Sequence, residues 1–449
     1  MGVAVWALIT YIAVIVVWNA ALGRNIGEAM LLGFLVVCLF GGGDALAVAG
    51  TGLLDAASEE VVFAALAFVF MGYLLTELGL IDRQVSLLNA VFGRVRGGAG
   101  YVSTAAAALL GGPAGSGSGI AASVGSVTIP WMIRSRWRPD LAAGLVAGNA
   151  GLGISIPPSS SMFLLLGSAA VAPVLTADQL LVGAFVGGLW TVLYRFLVVF
   201  VWVRRHRIEA MDAEHVLPFA AAWRQGWTSL LVYLGIAIPV FLTLDSGQAL
   251  LAGLIGSDAA GEISIIVWIP ILMILGSMLV AWRRLPRSAS GWNDLLAAMA
   301  PRYAVIGATL FFAFAAAASL GELGLVEQLS ALMNGIDAPP FVVAALVGLL
   351  IIIVSAPLTG TATIAAVGGV SFSALLAVGV NPVAAAVAIL IFASTEGASP
   401  PGAAPIYIAS GIAGVDPARL FVRLIVWFVL PILLIGVLIA TGLLPLFVV

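Results

Sequence analysis

The 449-residue chain has no lysine, one cysteine and two histidines, and only 9% of it is charged. Soluble domains carry about 25% charged residues, so a water-facing surface for a fold of this size cannot be assembled. Cys38, alone in an apolar run, excludes a disulfide framework. Adding His206 and His215, both in a charged loop, still leaves too few ligands for a buried transition-metal centre of the usual kind. The long apolar runs lack the alternation of an outer-membrane barrel. What abounds is apolar: 62% of residues are hydrophobic, 52 are glycine, and mean hydropathy is +1.19. The chain therefore reads as an all-α polytopic membrane protein. No positive charge precedes the first apolar segment, which reads as a retained helix rather than a cleaved signal peptide.

Every cation is an arginine, which makes the positive-inside rule easy to apply. Crossings are expected over about residues 2–18, 27–43, 61–79, 140–172, 180–203, 227–244, 263–282, 303–321, 383–413 and 420–446, lengths suited to ~20-residue spans. With these, all arginines except Arg195 fall on one side, in the connections after the odd-numbered crossings. The other side holds Asp44, Asp55, Glu59, Glu60, Asp178, Asp245, Asp258, Glu262, Glu322, Glu327 and Asp337. The arginine side is then cytoplasmic and both termini lie outside. Arg195 is expected within a helix near the cytoplasmic side, and Glu77 to snorkel or pair with Arg83. Trp6, Trp18, Trp131, Trp202 and Trp282 are expected to anchor helix ends at the interface.

Two apolar stretches do not fit as crossings. Residues 97–133 have arginines on both flanks yet are too short for two passes at ~1.5 Å per residue. A re-entrant hairpin of two half-helices fits, bent at Gly112–Gly119, where GPAGSGSG makes poor helix. The 58 residues from Ala338 to Thr395 carry no ionisable side chain. A second hairpin is expected over 341–376, bent at Ser355–Thr363. The two regions also align: Ile120-Ala121-Ala122 with Ile364-Ala365-Ala366, Pro139 with Pro382, and Pro157-Pro158 with Pro400-Pro401. Five crossings separate the hairpins, so the second unit is inverted relative to the first. Interrupted helices free backbone donors and acceptors that hydrocarbon does not tolerate, and so line cavities.

Those interruptions hold the candidate ion- and substrate-binding residues. Gly115, Ser116, Gly117, Ser118 and Gly119 offer hydroxyls and carbonyls at the first bend; Thr359, Gly360, Thr361 and Thr363 do so at the second. Asn149, one or two turns before the break at Pro157, Pro158 and Ser159, can present an amide oxygen. Glu396, in the stretch Thr395, Glu396, Gly397, Ser399, Pro400 and Pro401, is the one acidic residue placed mid-crossing. Burying a carboxylate in a membrane costs roughly 2.5–3.5 kcal/mol on insertion scales, so it is expected to act as a cation ligand, a protonatable carrier or a partner to substrate. Serine and threonine can equally bond back within their own helices, Asn149 can hydrogen-bond a neighbour, and Glu396 can make a structural hydrogen bond in protonated form.

At these residues the sequence resembles a family. GSGSG at 115–119, Gly125-Ser126, Ile129-Pro130-Trp131-Met132 and Gly153-Ile154-Ser155-Ile156-Pro157-Pro158-Ser159 are similar to the large (DctM-type) membrane subunit of tripartite ATP-independent periplasmic (TRAP) transporters. Phe70-Met71-Gly72, Gly93–Gly98, Ser399–Gly402 and Ile412–Val415 extend the likeness over roughly residues 1–446. Glu396 departs from a usually neutral, glycine-rich stretch, and APLTGTAT is an unusual second bend. The resemblance implies a non-enzymatic secondary importer in a bacterial inner membrane, with no cofactor and sodium as coupling ion. It also implies a small (Q-type) membrane subunit, an extracytoplasmic solute-binding protein that delivers a small organic acid, and elevator motion. The expected units are scaffold helices 1–96, a first core 97–172, connecting scaffold helices 173–337, a second core 338–413 and a C-terminal helix 414–449. Alternatives are a stand-alone cation-coupled anion symporter, a channel, or an intramembrane enzyme. The last requires a base beside the GSGSG serines that the membrane segments lack.

Overall fold

The computed structural model describes residues 2–18, 22–58, 60–114, 117–168, 170–210, 216–243, 245–256, 265–325, 328, 338–356 and 358–446. Among them there is helix and no strand. The N-terminal helices are α1 Val3–Val16, α2 Ile26–Leu39, α3 Ala45–Ser58, α4 Glu60–Glu77 and α5 Leu80–Phe92. The first hairpin is α6 Gly98–Ala114 and α7 Gly117–Arg134, followed by α8 Pro139–Ala150, a 3-10 turn Gly151–Ile154 and α9 Ser160–Leu166. Connecting helices are α10 Ala177–His206, α11 Phe219–Gly226, α12 Leu234–Thr243, α13 Asp245–Ile255, α14 Ile265–Val280 and α15 Ala289–Glu322. The second hairpin is α16 Pro340–Ser355 and α17 Gly360–Ala377, followed by α18 Pro382–Ala393, a 3-10 turn Glu396–Ala398 and α19 Ala404–Ala413. Helix α20, Ala418–Ala440, completes the chain.

The local chemistry starts and stops these helices. Asn25 caps α2 by accepting from the Gly27 N–H at 2.7 Å, Ser288 caps α15, and Thr176 with Gln179 forms a capping box on α10. Pro139 and Pro382 open α8 and α18 at the first turn, where a missing N–H costs nothing. Both helices have 12 residues and lie 243 positions apart. The Pro157–Pro158 and Pro400–Pro401 bonds beyond them are both cis. Helices α2, α3 and α4 pack on α15, α4 and α12 on α14, and α1 on α2. The hairpins and interrupted helices form a second body, α7 packing on α8 and α19, and α16 on α18 and α20. Contacts from α4 to α6 and α9, and from α10 to α6 and α18, join the two bodies.

Among the described residues, five helices are long and apolar enough to cross a membrane unaided: Ala177–His206, Phe219–Leu242, Tyr303–Glu322, Gly360–Ala377 and Ala418–Ala440. Shorter apolar helices include Val3–Ile15, Ile26–Leu39, Val267–Val280 and Pro382–Ala398, and Gly42–Ser58 with Val62–Glu77 forms a bent pair.

Several expectations are corrected. The acidic connections after the second and sixth crossings contain the helices α3 and α13, because alanine and leucine outweigh their few carboxylates. The first bend is narrower than Gly112–Gly119: α6 runs through Pro113 to Ala114 and α7 starts at Gly117. Trp202 is not an interface anchor but is buried, edge-on to Trp427 and Phe428 at 5.8 and 6.1 Å; Trp6 and Trp282 are exposed as expected. The ion pairs among the described residues are Arg24–Glu28, Arg136–Glu209 and Asp140 with Arg138 and Arg423, so Glu77 does not bridge to Arg83. His215 lies outside the described residues.

Arg195 lies within α10, as expected, and is wholly buried, 0% exposed, with its Nε 3.4 Å from the Gly148 carbonyl and both Nη atoms without a protein partner. An isolated buried cation is costly, and apolar replacements of buried charges often stabilise by about 1–4 kcal/mol. Arg195→Met is therefore expected to raise the melting temperature of the purified protein. A lower one would show that the guanidinium makes an interaction worth more than its burial.

Candidate functional site

Both interrupted segments converge on one cavity of about 580 Å³. Its lining includes Gly117, Ser118 and Gly119 at the start of α7, Ser159 at the first Pro-Pro break, Thr359 and Thr361 at the second bend, and Glu396. The far wall is Ile26 of α2 with Val305, Ile306 and Thr309 of α15, so the cavity lies between the two packed bodies.

The hydroxyls of Ser159 and Thr359 at its edge are fixed by backbone. Ser159 caps α9, accepting from the Met162 N–H at 3.2 Å, and itself donates to the Ile154 carbonyl. Thr359 caps α17, accepting from the Ala362 N–H at 3.3 Å, and Thr361 Oγ1 stands 3.5 Å from Ser161 Oγ. Rigid neutral oxygens of this kind suit a hard monovalent cation better than a flexible surface would.

Glu396 is the centre of the arrangement. It is 6% exposed. Its Oε2 accepts from the Gly360 N–H, the first donor of α17, and the carboxylate also accepts from the Gly117 N–H, the first donor of α7. Helix N-termini leave such donors unsatisfied and carry roughly half a positive charge each. Two of them facing one carboxylate roughly balance it. Glycine is required at both places: a Cβ on Gly117 would overlap Glu396 Oε1, and one on Gly360 would come 2.9 Å from Oε2. Gly151 and Gly397 serve the same closeness on the other side, where a Cβ would strike the Ser394 or the Ala147 carbonyl.

Other expected residues sit behind this lining. Asn149 is buried, its amide donating to Thr104 Oγ1 at 2.9 Å, and its Oδ1 has no protein partner. Thr363 and Thr395 bond back to the carbonyls of Thr359 and Phe392, and Ser399 to that of Thr395. Pro157, Pro158, Pro400 and Pro401 shape the breaks without lining the cavity, although Gly402 does. Gly115 and Ser116 lie outside the described residues. Sequence reasoning missed Ser160, Ser161 and Thr309. The serine run after Pro158 was a usable signal for the first two; nothing in α15 marked Thr309.

Comparison with known proteins gives this geometry its context. Residues 6–447 match the family model described as the tripartite ATP-independent periplasmic transporter, DctM component. The chain belongs to that family. A C4-dicarboxylate TRAP transporter large permease from Rhodobacter capsulatus is 24% identical over 370 residues, 80% of each chain. One from Pseudomonas aeruginosa is 28% identical over 202 residues, 45% of this chain, which spans only 46% of that relative's length. An isethionate TRAP transporter permease from Oleidesulfovibrio alaskensis is 22% identical over 353 residues, 77% of this chain and 51% of that protein. Among solved structures, the Alcanivorax borkumensis YdaH transporter superposes with a TM-score of 0.57 over 89% of each chain at 17% identity. Neisseria gonorrhoeae MtrF does so at 0.63 over 88% of this chain and 83% of that one, at 14% identity. These two likenesses concern the fold alone. Family membership and the apolar helices indicate a multi-pass inner-membrane protein; the relatives are transporter permeases, and large permeases of this family normally work with a small membrane subunit and a solute-binding protein.

Proposed function

We propose that this TRAP large permease is the membrane subunit of a sodium-coupled importer of a small organic acid. An extracytoplasmic binding protein delivers the acid, and a small membrane subunit completes the assembly. The observation that carries the reading is the meeting of both interrupted segments at one cavity between two packed bodies. A site assembled at such breaks can pair an anion with helix N-termini and a cation with hydroxyls and carbonyls. Residues 97–172 and 338–413 form the moving core, an inverted pair consistent with the matched 12-residue helices α8 and α18. Residues 1–96 and 173–337 are the scaffold against which it slides as an elevator, 414–449 is the closing helix, and both termini are extracytoplasmic. Ser118, Ser159, Thr359 and Thr361 supply sodium ligands; the N–H groups of Gly117 and Gly360 face the anionic side of the site.

The test is uptake into proteoliposomes containing the purified chain, the small subunit and the binding protein, with succinate and isethionate as trial cargoes. An inward sodium gradient is expected to drive accumulation that potassium or choline does not. Accumulation indifferent to sodium would remove the coupling ion. Transport by the large permease alone would favour the stand-alone symporter.

A further inference from the structure

Glu396 occupies the place where an anionic cargo would gain most. The positive ends of α7 and α17 meet at one point, and their first N–H donors are both spent on the chain's own carboxylate. A cargo carboxylate and Glu396 cannot hold the same two donors at once. Yet the residues next in sequence to those donors, Ser118 and Thr361, line the cavity alongside Glu396. A carboxylate released from the N–H groups into this cavity, beside Ser118 and Thr361, would be an unpaired buried anion unless a cation joined it.

We propose that Glu396 is a tethered competitor that makes cargo binding conditional on sodium. Without sodium its carboxylate sits on the Gly117 and Gly360 N–H groups and closes the seat. Sodium among the hydroxyls of Ser118 and Thr361 attracts the carboxylate away, and the cargo's carboxylate takes the vacated donors. The seat is thus filled by an anion in both states, and the cation enters with the second anion. This is an exchange of hydrogen-bond and ionic partners, with no bond made or broken. It rests on the reading that the cargo is a carboxylate and the coupling ion sodium, and it adds the element that makes each require the other.

Among the described residues packed around Glu396, no other ionisable side chain intervenes. The elements packed on the Glu396–Ala398 turn are α7, α8, the Gly151–Ile154 turn, α19 and the Ile425–Val429 stretch of α20. Their ionisable residues are Arg134 at the far end of α7, Asp140 at the far end of α8, Tyr407 of α19, and Arg419 and Arg423 in the first turns of α20. Asp140 is already paired with Arg138 and Arg423, and the Tyr407 hydroxyl donates to the Pro401 carbonyl. Helix α17, which supplies the Gly360 donor, has no ionisable residue.

Formate, a bare carboxylate, is the probe, and the thermal unfolding of the full-length purified protein is the readout. For the wild-type chain, sodium formate is expected to raise the melting temperature saturably beyond the effect of sodium chloride, while choline formate does nothing beyond choline chloride. Glu396→Ala vacates the seat and is expected to respond to formate equally with either cation. Glu396→Gln, isosteric but uncharged, can leave the seat without becoming a buried anion and is expected to give the same cation-independent response, so the test survives if Glu396→Ala does not fold. A wild-type response equal in sodium and choline overturns the proposal, as does a variant that ignores formate with both cations. The readout needs no transport. Sodium-driven uptake by a wild-type chain whose variants ignore formate would leave the proposed function standing and remove only the competitor.

Discussion

Replacing Ser118 and Thr361 together by alanine is expected to raise the sodium concentration for half-maximal uptake by about a hundredfold while the protein still inserts and folds. Both hydroxyls line the cavity, one beside each helix start that holds Glu396. A hydrogen bond to a charged group is worth about 1.5–3 kcal/mol, and a hydroxyl facing a desolvated sodium ion is of the same order. Each 1.4 kcal/mol is tenfold in affinity, so each lost oxygen weakens sodium at least about tenfold, and two on one ion multiply. Neither change opens a large void: alanine is smaller by one hydroxyl at Ser118 and by a hydroxyl and a methyl at Thr361. Thr361→Ser, which keeps the oxygen, should stay near wild type. Initial uptake rates against sodium concentration decide the matter. A double variant with the wild-type sodium curve would take these hydroxyls out of the ion site.

How much of this was legible in the chain depends on the range of the interactions. Proline and glycine act on their own backbone, so the Pro157-Pro158 and Pro400-Pro401 breaks and the two bends were readable as local chemistry. The absence of charge between Ala338 and Thr395 placed the second hairpin, because a membrane forbids unpaired charge wherever it occurs. Glu396 stood out for the same reason. Its partners did not: Gly360 is 36 residues away and Gly117 on the other hairpin, and a backbone N–H leaves no mark on sequence. The ends of the first bend were misjudged because glycine and proline lower helix propensity without forbidding helix, and packing of α6 on α7 and α8 outweighs a cost near 1 kcal/mol per glycine. In the sequence Arg195 stands apart only as the one arginine expected within a helix rather than in a connection. Only the three-dimensional packing of α10 on α6 and α18 reveals that it is enclosed.

The largest loss of stability from a small substitution is expected at Gly153. Here α6 and the Gly151–Ile154 turn touch backbone to backbone. A Cβ on Gly153 would overlap the carbonyl group of Gly111, and one on Gly111 would stand 2.7 Å from the Gly153 Cα. Elsewhere an added methyl can be met by a side chain that swings aside, as at Gly2, where it would meet only the Gln328 side chain. At Gly153 the obstacle is a helix of the hairpin, itself packed on α7 and α8, so the whole of α6 must retreat. Overpacking typically costs about 1–3 kcal/mol and more where nothing yields; Gly153→Ala belongs at or above the top of that range. Retreat of α6 would also shift the Gly111 wall of the cavity, so uptake should fall even in the fraction that folds. Thermal unfolding of Gly153→Ala beside Gly411→Ala, a position with open space around it, separates the local clash from a general intolerance of methyl groups on helices. Equal melting temperatures for the two variants would mean that α6 and the turn are not in contact.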